Sequence, residues 1–143
     1  MGPALLAPTR PPGAPAEVLL IEDNADVAGM YRLALELGGC HVTVAGDGET
    51  GLAAAGAIKP DVLFLDLRLP NMQGLDVLEQ IRRRPETQDL RVVILSNSFS
   101  QAAVQRSQEL GALTFLIKNS ILPADIVAGV ARWTGRRPDQ LPA

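Results

Sequence analysis

From Glu17 onward the chain alternates five short apolar runs with amphipathic stretches, and this alternation limits its folds more than any other feature. The runs are EVLLIE (17–22), HVTVA (41–45), DVLFLD (61–66), RVVILS (91–96) and LTFLIK (113–118). Each is rich in Val, Ile, Leu or Phe and is read as a strand. Strands apolar on both faces must be buried from two sides, and helices lying over a parallel sheet achieve that. The expected fold is therefore α/β: a five-stranded parallel sheet with helices on both faces, an open three-layer sandwich.

The intervening stretches carry helix signals. Val27, Met30, Tyr31, Ala34 and Leu37 recur at helical spacing, and Gly38-Gly39 then supplies a left-handed stop. A second helix is expected from Asp47 to near Ala57, with Pro60 blocking its continuation. A third spans 73–84, with Leu75, Leu78 and Ile81 facing inward, and ends before Pro85. A fourth runs from Ser100 to Leu110 and stops at Gly111. The fifth opens at Pro123, a favoured first helical position, and carries Ile126, Val130 and Trp133 on one face.

A length of 143 residues with 47% hydrophobic side chains suits one domain, expected over 17–134. Residues 1–16 hold five prolines and read as a flexible leader, neither a signal peptide nor a membrane span. Residues 135–143 read as a loose tail. The net charge of −3 does not favour nucleic acid or an anionic membrane as partner. The arginines 82–84 fall at a helix carboxyl end, where cations meet the dipole favourably, and Arg136-Arg137 form a second short run. The single cysteine, Cys40, fits a reducing, cytoplasmic setting. The single histidine, His41, leaves no material for a His-rich zinc site or a His-based triad.

In open α/β sheets ligands bind outside the carboxyl ends of the strands. Here those ends offer Glu22-Asp23, Asp66, Ser96 and Lys118. Carboxylates gathered at one edge repel unless a cation joins them. Their hard oxygens, with no thiolate or imidazole, select Mg²⁺ over zinc or copper. With such an ion and Lys118 present, the pocket admits a phosphoryl group. Asp66 then has the chemistry of a nucleophile that forms an acyl phosphate, while Lys118 and the Ser96 hydroxyl stabilise the equatorial oxygens.

In this order and spacing, VLLIEDN, FLDLRLPNMQG, VVILSNS and GALTFLIK resemble the receiver domain of two-component response regulators over about Glu17 to Trp133. The layout is similar to the stand-alone, chemotaxis-type (CheY-like) members, with a flavodoxin-like (βα)5 fold. The resemblance implies that Asp66 accepts phosphate from a sensor histidine kinase or a histidine phosphotransfer protein. It implies that Asp23 and Asp66 bind Mg²⁺ directly, Glu22 mostly through water, and the backbone carbonyl of Arg68 as a third protein ligand. Ser96 matches the switch hydroxyl, Lys118 the phosphate-contacting lysine and Phe115 the aromatic switch position. Output is then expected through a protein target on the face of helix four, strand five and helix five, with the chain a monomer or a phosphorylation-dependent homodimer and no enzyme toward other substrates.

Two departures stand out. Asn119 follows Lys118 where the family most often has proline, so a trans bond is expected there. Asn97 replaces a smaller residue after Ser96, and Arg68 and Ser98 occupy the variable flanking positions that are candidates for setting phosphate lifetime. Three other readings compete. A haloacid-dehalogenase-like phosphatase needs a second Asp two residues after the nucleophile, where Arg68 stands. A flavodoxin-like electron carrier needs hydroxyls and glycines where EDNAD stands. A degenerate receiver would bind partners without phosphorylation.

Overall fold

The computed structural model describes residues 14–134; most of the proline-rich leader and the tail from 135, with Arg136 and Arg137, lie outside the described residues. The elements follow in order: β1 (Glu17–Ile21), α1 (Ala25–Leu37), β2 (His41–Ala45), α2 (Gly48–Ile58), β3 (Val62–Asp66), α3 (Gly74–Arg83), β4 (Val92–Ser96), α4 (Gln101–Glu109), β5 (Thr114–Ile117), a 3₁₀ turn (Lys118–Ser120) and α5 (Pro123–Thr134). The strands form one sheet in the order β2-β1-β3-β4-β5, every neighbouring pair parallel.

Alternation along the strands divides the core in two. Val18, Leu20, Val62, Phe64, Val93 and Leu95 point to the side covered by α1 and α5. Leu19, Ile21, Leu63, Leu65, Val92 and Ile94 point to the side covered by α2 and α3, with α4 packed against α3 and β5. Every residue of β3 and β4 is buried, so the sheet centre is apolar on both faces, as the continuous runs require. Each fully buried Leu or Ile there contributes about 1.5–3 kcal/mol. Trp133 closes the α5 side edge-on to Phe64, centroids 5.6 Å apart.

Local chemistry fixes the helix ends. Asn24, Asp47 and Ser100 are the N-caps of α1, α2 and α4, accepting from the amides of Val27, Thr50 and Ala103. At the end of α1, Gly39 takes φ 93°, and the amides of Gly39 and Cys40 donate to the carbonyls of Glu36 and Leu35, both at 3.0 Å. That is the glycine stop expected from the sequence.

Four expectations need correction. On α1 the inward face is Ala28, Tyr31 and Leu35, whereas Met30 and Leu37 are exposed; the apolar positions outnumber those that one helix face can bury. On α3, Val77 is buried with Leu78 and Ile81, and Leu75 is only half-buried near the helix start. Asp47 caps α2 from outside, so the helix itself begins at Gly48; it ends at Ile58, near Ala57 as expected. Ala16, assigned to the leader on composition, is fully buried, and its carbonyl accepts the His41 amide at 2.9 Å, so the core begins before Glu17.

Candidate active site

Parallel pairing brings the carboxyl ends of all five strands to one edge. The β1–β3 register sets Ile21 beside Leu65, so Glu22 follows β1 at the level of Asp66, the last residue of β3. Asp23 comes next on the loop into α1. Carboxylate oxygens of Glu22, Asp23 and Asp66 all lie within 4.8 Å of one another. Glu22 and Asp66 are 2% and 3% exposed, and Asp23 is exposed at the mouth.

Lys118 begins the turn after β5, two strands from Asp66. Its four-carbon stem spans that gap. The ammonium pairs with Glu22 Oε1 and lies 3.2 Å from Asp66 Oδ2. Without it, two desolvated carboxylates would face each other, an arrangement the interior penalises strongly. Burial pushes the Glu22 carboxyl above its ordinary range, against the opposing pull of Lys118 and of the Asn24 amide, which donates to Glu22 Oε2 at 3.1 Å. Burial alone would lower the Lys118 pKa, but the hydrogen bond to Glu22 and the charge of Asp66 prevail and raise it. The ammonium is therefore charged at neutral pH.

Backbone geometry holds Asp66 in place. The Arg68 amide donates to Asp66 Oδ1 at 3.1 Å, and the Leu67 amide donates to Leu95 O at 3.3 Å, tying the loop to β4. Gly74 opens α3 directly beneath this loop. Its amide donates to Leu67 O at 2.9 Å, and a Cβ there would stand 2.4 Å from Asp66 O and 2.6 Å from Leu67 Cα. Only glycine allows that approach. Asn71, at φ 68°, makes the intervening left-handed turn that Asn tolerates better than most residues.

The expected site residues are not all engaged alike. Glu22, Asp23, Asp66 and Lys118 converge, and the Arg68 peptide adjoins them. Ser96 ends β4 one position beyond Leu95, the register partner of Asp66. Its hydroxyl, however, donates to Ser98 O at 2.8 Å, the local backbone bond that a serine at a strand end readily makes. Glu22, expected to act mostly through water, is here held by Lys118 and the Asn24 amide. Phe115 is half-buried on β5 and lines a cavity of about 270 Å³ with Phe99, Val104 and Ile117. No peptide bond among the described residues is cis, so Lys118–Asn119 is trans as expected. Sequence reasoning passed over Gly74 as a steric requirement, although it closes the quoted FLDLRLPNMQG stretch.

The donor set fits a hard divalent ion: three carboxylates, two of them buried, with no nitrogen or sulfur ligand among them. A buried carboxylate beside a charged lysine has the chemistry of a phosphoryl acceptor.

Comparison with known proteins points the same way. The family model of the response regulator receiver domain matches residues 18–130. The DNA-binding dual master transcriptional regulator RpaA of Synechocystis is 32% identical over 127 residues, 87% of this chain and 51% of RpaA. The chain spans about half the length or less of the curated relatives it matches first. Among solved structures, the chemotaxis protein CheY4 of Vibrio cholerae superposes with a TM-score of 0.77 at 25% identity, covering 83% of this chain and 98% of CheY4. The receiver domain of the sensor histidine kinase PA1611 of Pseudomonas aeruginosa, with a magnesium ion in its active-site cleft, gives 0.76 at 25% identity, covering 85% and 98%.

Proposed function

The chain belongs to the response regulator receiver family of two-component systems, and from that premise we propose that Asp66 is its phosphoacceptor, charged by a sensor histidine kinase or a histidine phosphotransfer protein. The observation that carries this reading is the joint placement of Asp66, Glu22, Asp23 and Lys118 within one cleft. Glu22, Asp23, Asp66 and the Arg68 carbonyl are the groups that would hold Mg²⁺. The ion, when bound, supplies positive charge beside the transferring phosphoryl oxygens.

An Asp66 carboxylate oxygen attacks phosphorus while the bond from phosphorus to the donor nitrogen or oxygen breaks, and the bonding electrons leave with the donor. The product is an acyl phosphate. The Arg68 amide holds the carboxylate against rotation, so attack begins from a fixed orientation. Lys118 turns from Glu22 toward the phosphoryl oxygens, and Ser96 exchanges its bond to Ser98 O for one to the phosphoryl group. Release of the 96–98 loop changes the neighbouring α4 and β5, and Phe115 repacks into the cavity beside Phe99. A protein target reads the α4–β5–α5 face, with the chain acting as a monomer or as a phosphorylation-dependent dimer.

The reaction is the chain's own modification and reversal, not turnover of other phosphoesters, since Arg68 stands where a second acid would be needed. Among the described residues no helix is long and apolar enough to cross a membrane; we place the domain in the cytoplasm, with neither membrane nor nucleic acid as its own partner. Borohydride trapping tests the assignment. Reduction of the acyl phosphate after treatment with Mg²⁺ and acetyl phosphate should leave homoserine at position 66 in peptide mapping. Homoserine elsewhere, or nowhere, contradicts it.

A further inference from the structure

Of the five α-helices, α4 is the least embedded. It has nine residues, of which only Ser107 is buried, and the cavity of about 270 Å³ between it and β5 leaves its inner face incompletely packed. A helix so short, with so little apolar surface to bury, is marginal by itself, and its ends decide how it is held.

Those ends are held unequally. At the amino end residues 97–100 are all exposed, and Ser100 caps the first turn by accepting from the Ala103 amide at 3.2 Å. The loop before it is tied by the bond from Ser96 to Ser98 O. At the carboxyl end Arg82 reaches across from the last turn of α3: its Nε donates to Leu110 O at 2.6 Å and its Nη2 to Gly111 O at 3.2 Å. Its Nη1 donates to Gln88 O at 3.0 Å and to Leu90 O at 2.7 Å, in the connection to β4. Four of the five guanidinium N–H donors thus end on backbone carbonyls. The anchor is itself fixed, since Thr87 Oγ1 donates to Ile81 O at 2.8 Å and holds that connection against α3. Beyond Gly111, the Leu113 amide donates to Val92 O at 2.8 Å. Arg106 also meets Glu79 of α3 at 3.2 Å, but that pair is exposed and adds little. The arginine run at 82–84 therefore serves more than its own helix: Arg82 carries its charge to the end of α4, where the dipole and the last carbonyls favour a cation.

We propose that Arg82 is the pivot of the phosphorylation response: by fixing the carboxyl end of α4, it confines the rearrangement released at Ser96 to residues 97–104, the leading loop and first turn of that helix. Arg82 touches neither Asp66 nor the phosphoryl group and acts as a positioning residue for α4. This rests on the reading of Asp66 as phosphoacceptor.

Beryllium fluoride with Mg²⁺ serves as a stand-in for the phosphoryl group. Amide exchange is read residue by residue by NMR in the full chain, free and bound, for wild type, Arg82→Gln and Arg82→Lys. In the wild type, binding should change exchange at 97–104 and leave 106–112 as it was. In Arg82→Gln, residues 106–112 should exchange roughly tenfold faster in the free protein, as the loss of charge-assisted bonds requires, and should now also change on binding. Arg82→Lys keeps the charge without the planar fork and should fall between. A clamp with a purely structural role would speed exchange at 106–112 equally in free and bound protein, with the binding-dependent change still confined to 97–104. That result, or a wild-type change that already spans 106–112, overturns the pivot. If Arg82→Gln does not fold, Arg82→Lys and the wild-type pattern decide by the same criteria. Exchange at 66–68 reports binding itself: a change there upholds the phosphoacceptor reading whatever α4 does, and no change in the wild type overturns both.

Discussion

Lys118 Nζ lies 3.2 Å from Asp66 Oδ2 while also pairing with Glu22, so one ammonium from the end of β5 holds two buried carboxylates from the ends of β3 and β1. This triad sets the resting state. Lys118→Met removes the cation and leaves both carboxylates facing each other out of water. We expect a loss of about 3 kcal/mol in urea unfolding at neutral pH without divalent ions, the scale for breaking a buried pair. Added Mg²⁺ should restore part of it. Unchanged stability would mean that the triad is solvated.

Gly74 supports the same site from below. Gly74→Ala places a methyl group 2.4 Å from Asp66 O and 2.6 Å from Leu67 Cα, and neither atom belongs to a flexible side chain. The loop must move. We expect destabilisation of about 1–3 kcal/mol and slower modification by acetyl phosphate. Gly29→Ala, which meets nothing within 4 Å, is the control and should gain helix propensity without either effect.

Ser96→Ala separates acceptance from signalling. The hydroxyl is engaged with Ser98 O in the resting state, so its loss should leave phosphate uptake by Asp66 in place. The phosphorylation-dependent difference in amide exchange over α4 and β5 should disappear. An undiminished difference would assign the switch to another group.

Alkaline stability reports on burial away from the site. Cys40 is 6% exposed, and burial, with a smaller contribution from Asp61, pushes its thiol up to about 11. A folded-state pKa above the unfolded one contributes stability that is full below the unfolded value and is lost as pH rises through the folded value. The window is therefore about pH 9 to 11, and the loss about 3 kcal/mol from Cys40. Tyr31 and Lys118, both raised, act in the same direction. Cys40→Ala should flatten the decline of stability with pH, and native wild type should resist thiol alkylation at pH 8. Rapid native labelling would contradict the burial.

Much of this is legible in the sequence. Hydrophobic runs that fill both faces of β1, β3 and β4 admit few alternatives to a covered parallel sheet, and parallel strands force Glu22, Asp66, Ser96 and Lys118 to one edge. What escaped the sequence depends on choices made between elements. Val27, Met30, Tyr31, Ala34 and Leu37 satisfy helical spacing, yet packing against α5 and the sheet buries Ala28 and Leu35 beside Tyr31 and leaves Met30 and Leu37 exposed. Which hydroxyl acceptor Ser96 takes, and how closely α3 approaches Asp66, are likewise tertiary facts.

The most direct measurement is intact mass after incubation with Mg²⁺ and acetyl phosphate, on wild type and Asp66→Asn in parallel. The account predicts one added phosphoryl group on the wild type, lost when Mg²⁺ is chelated, and none on Asp66→Asn. Addition to both proteins, or to neither, contradicts it.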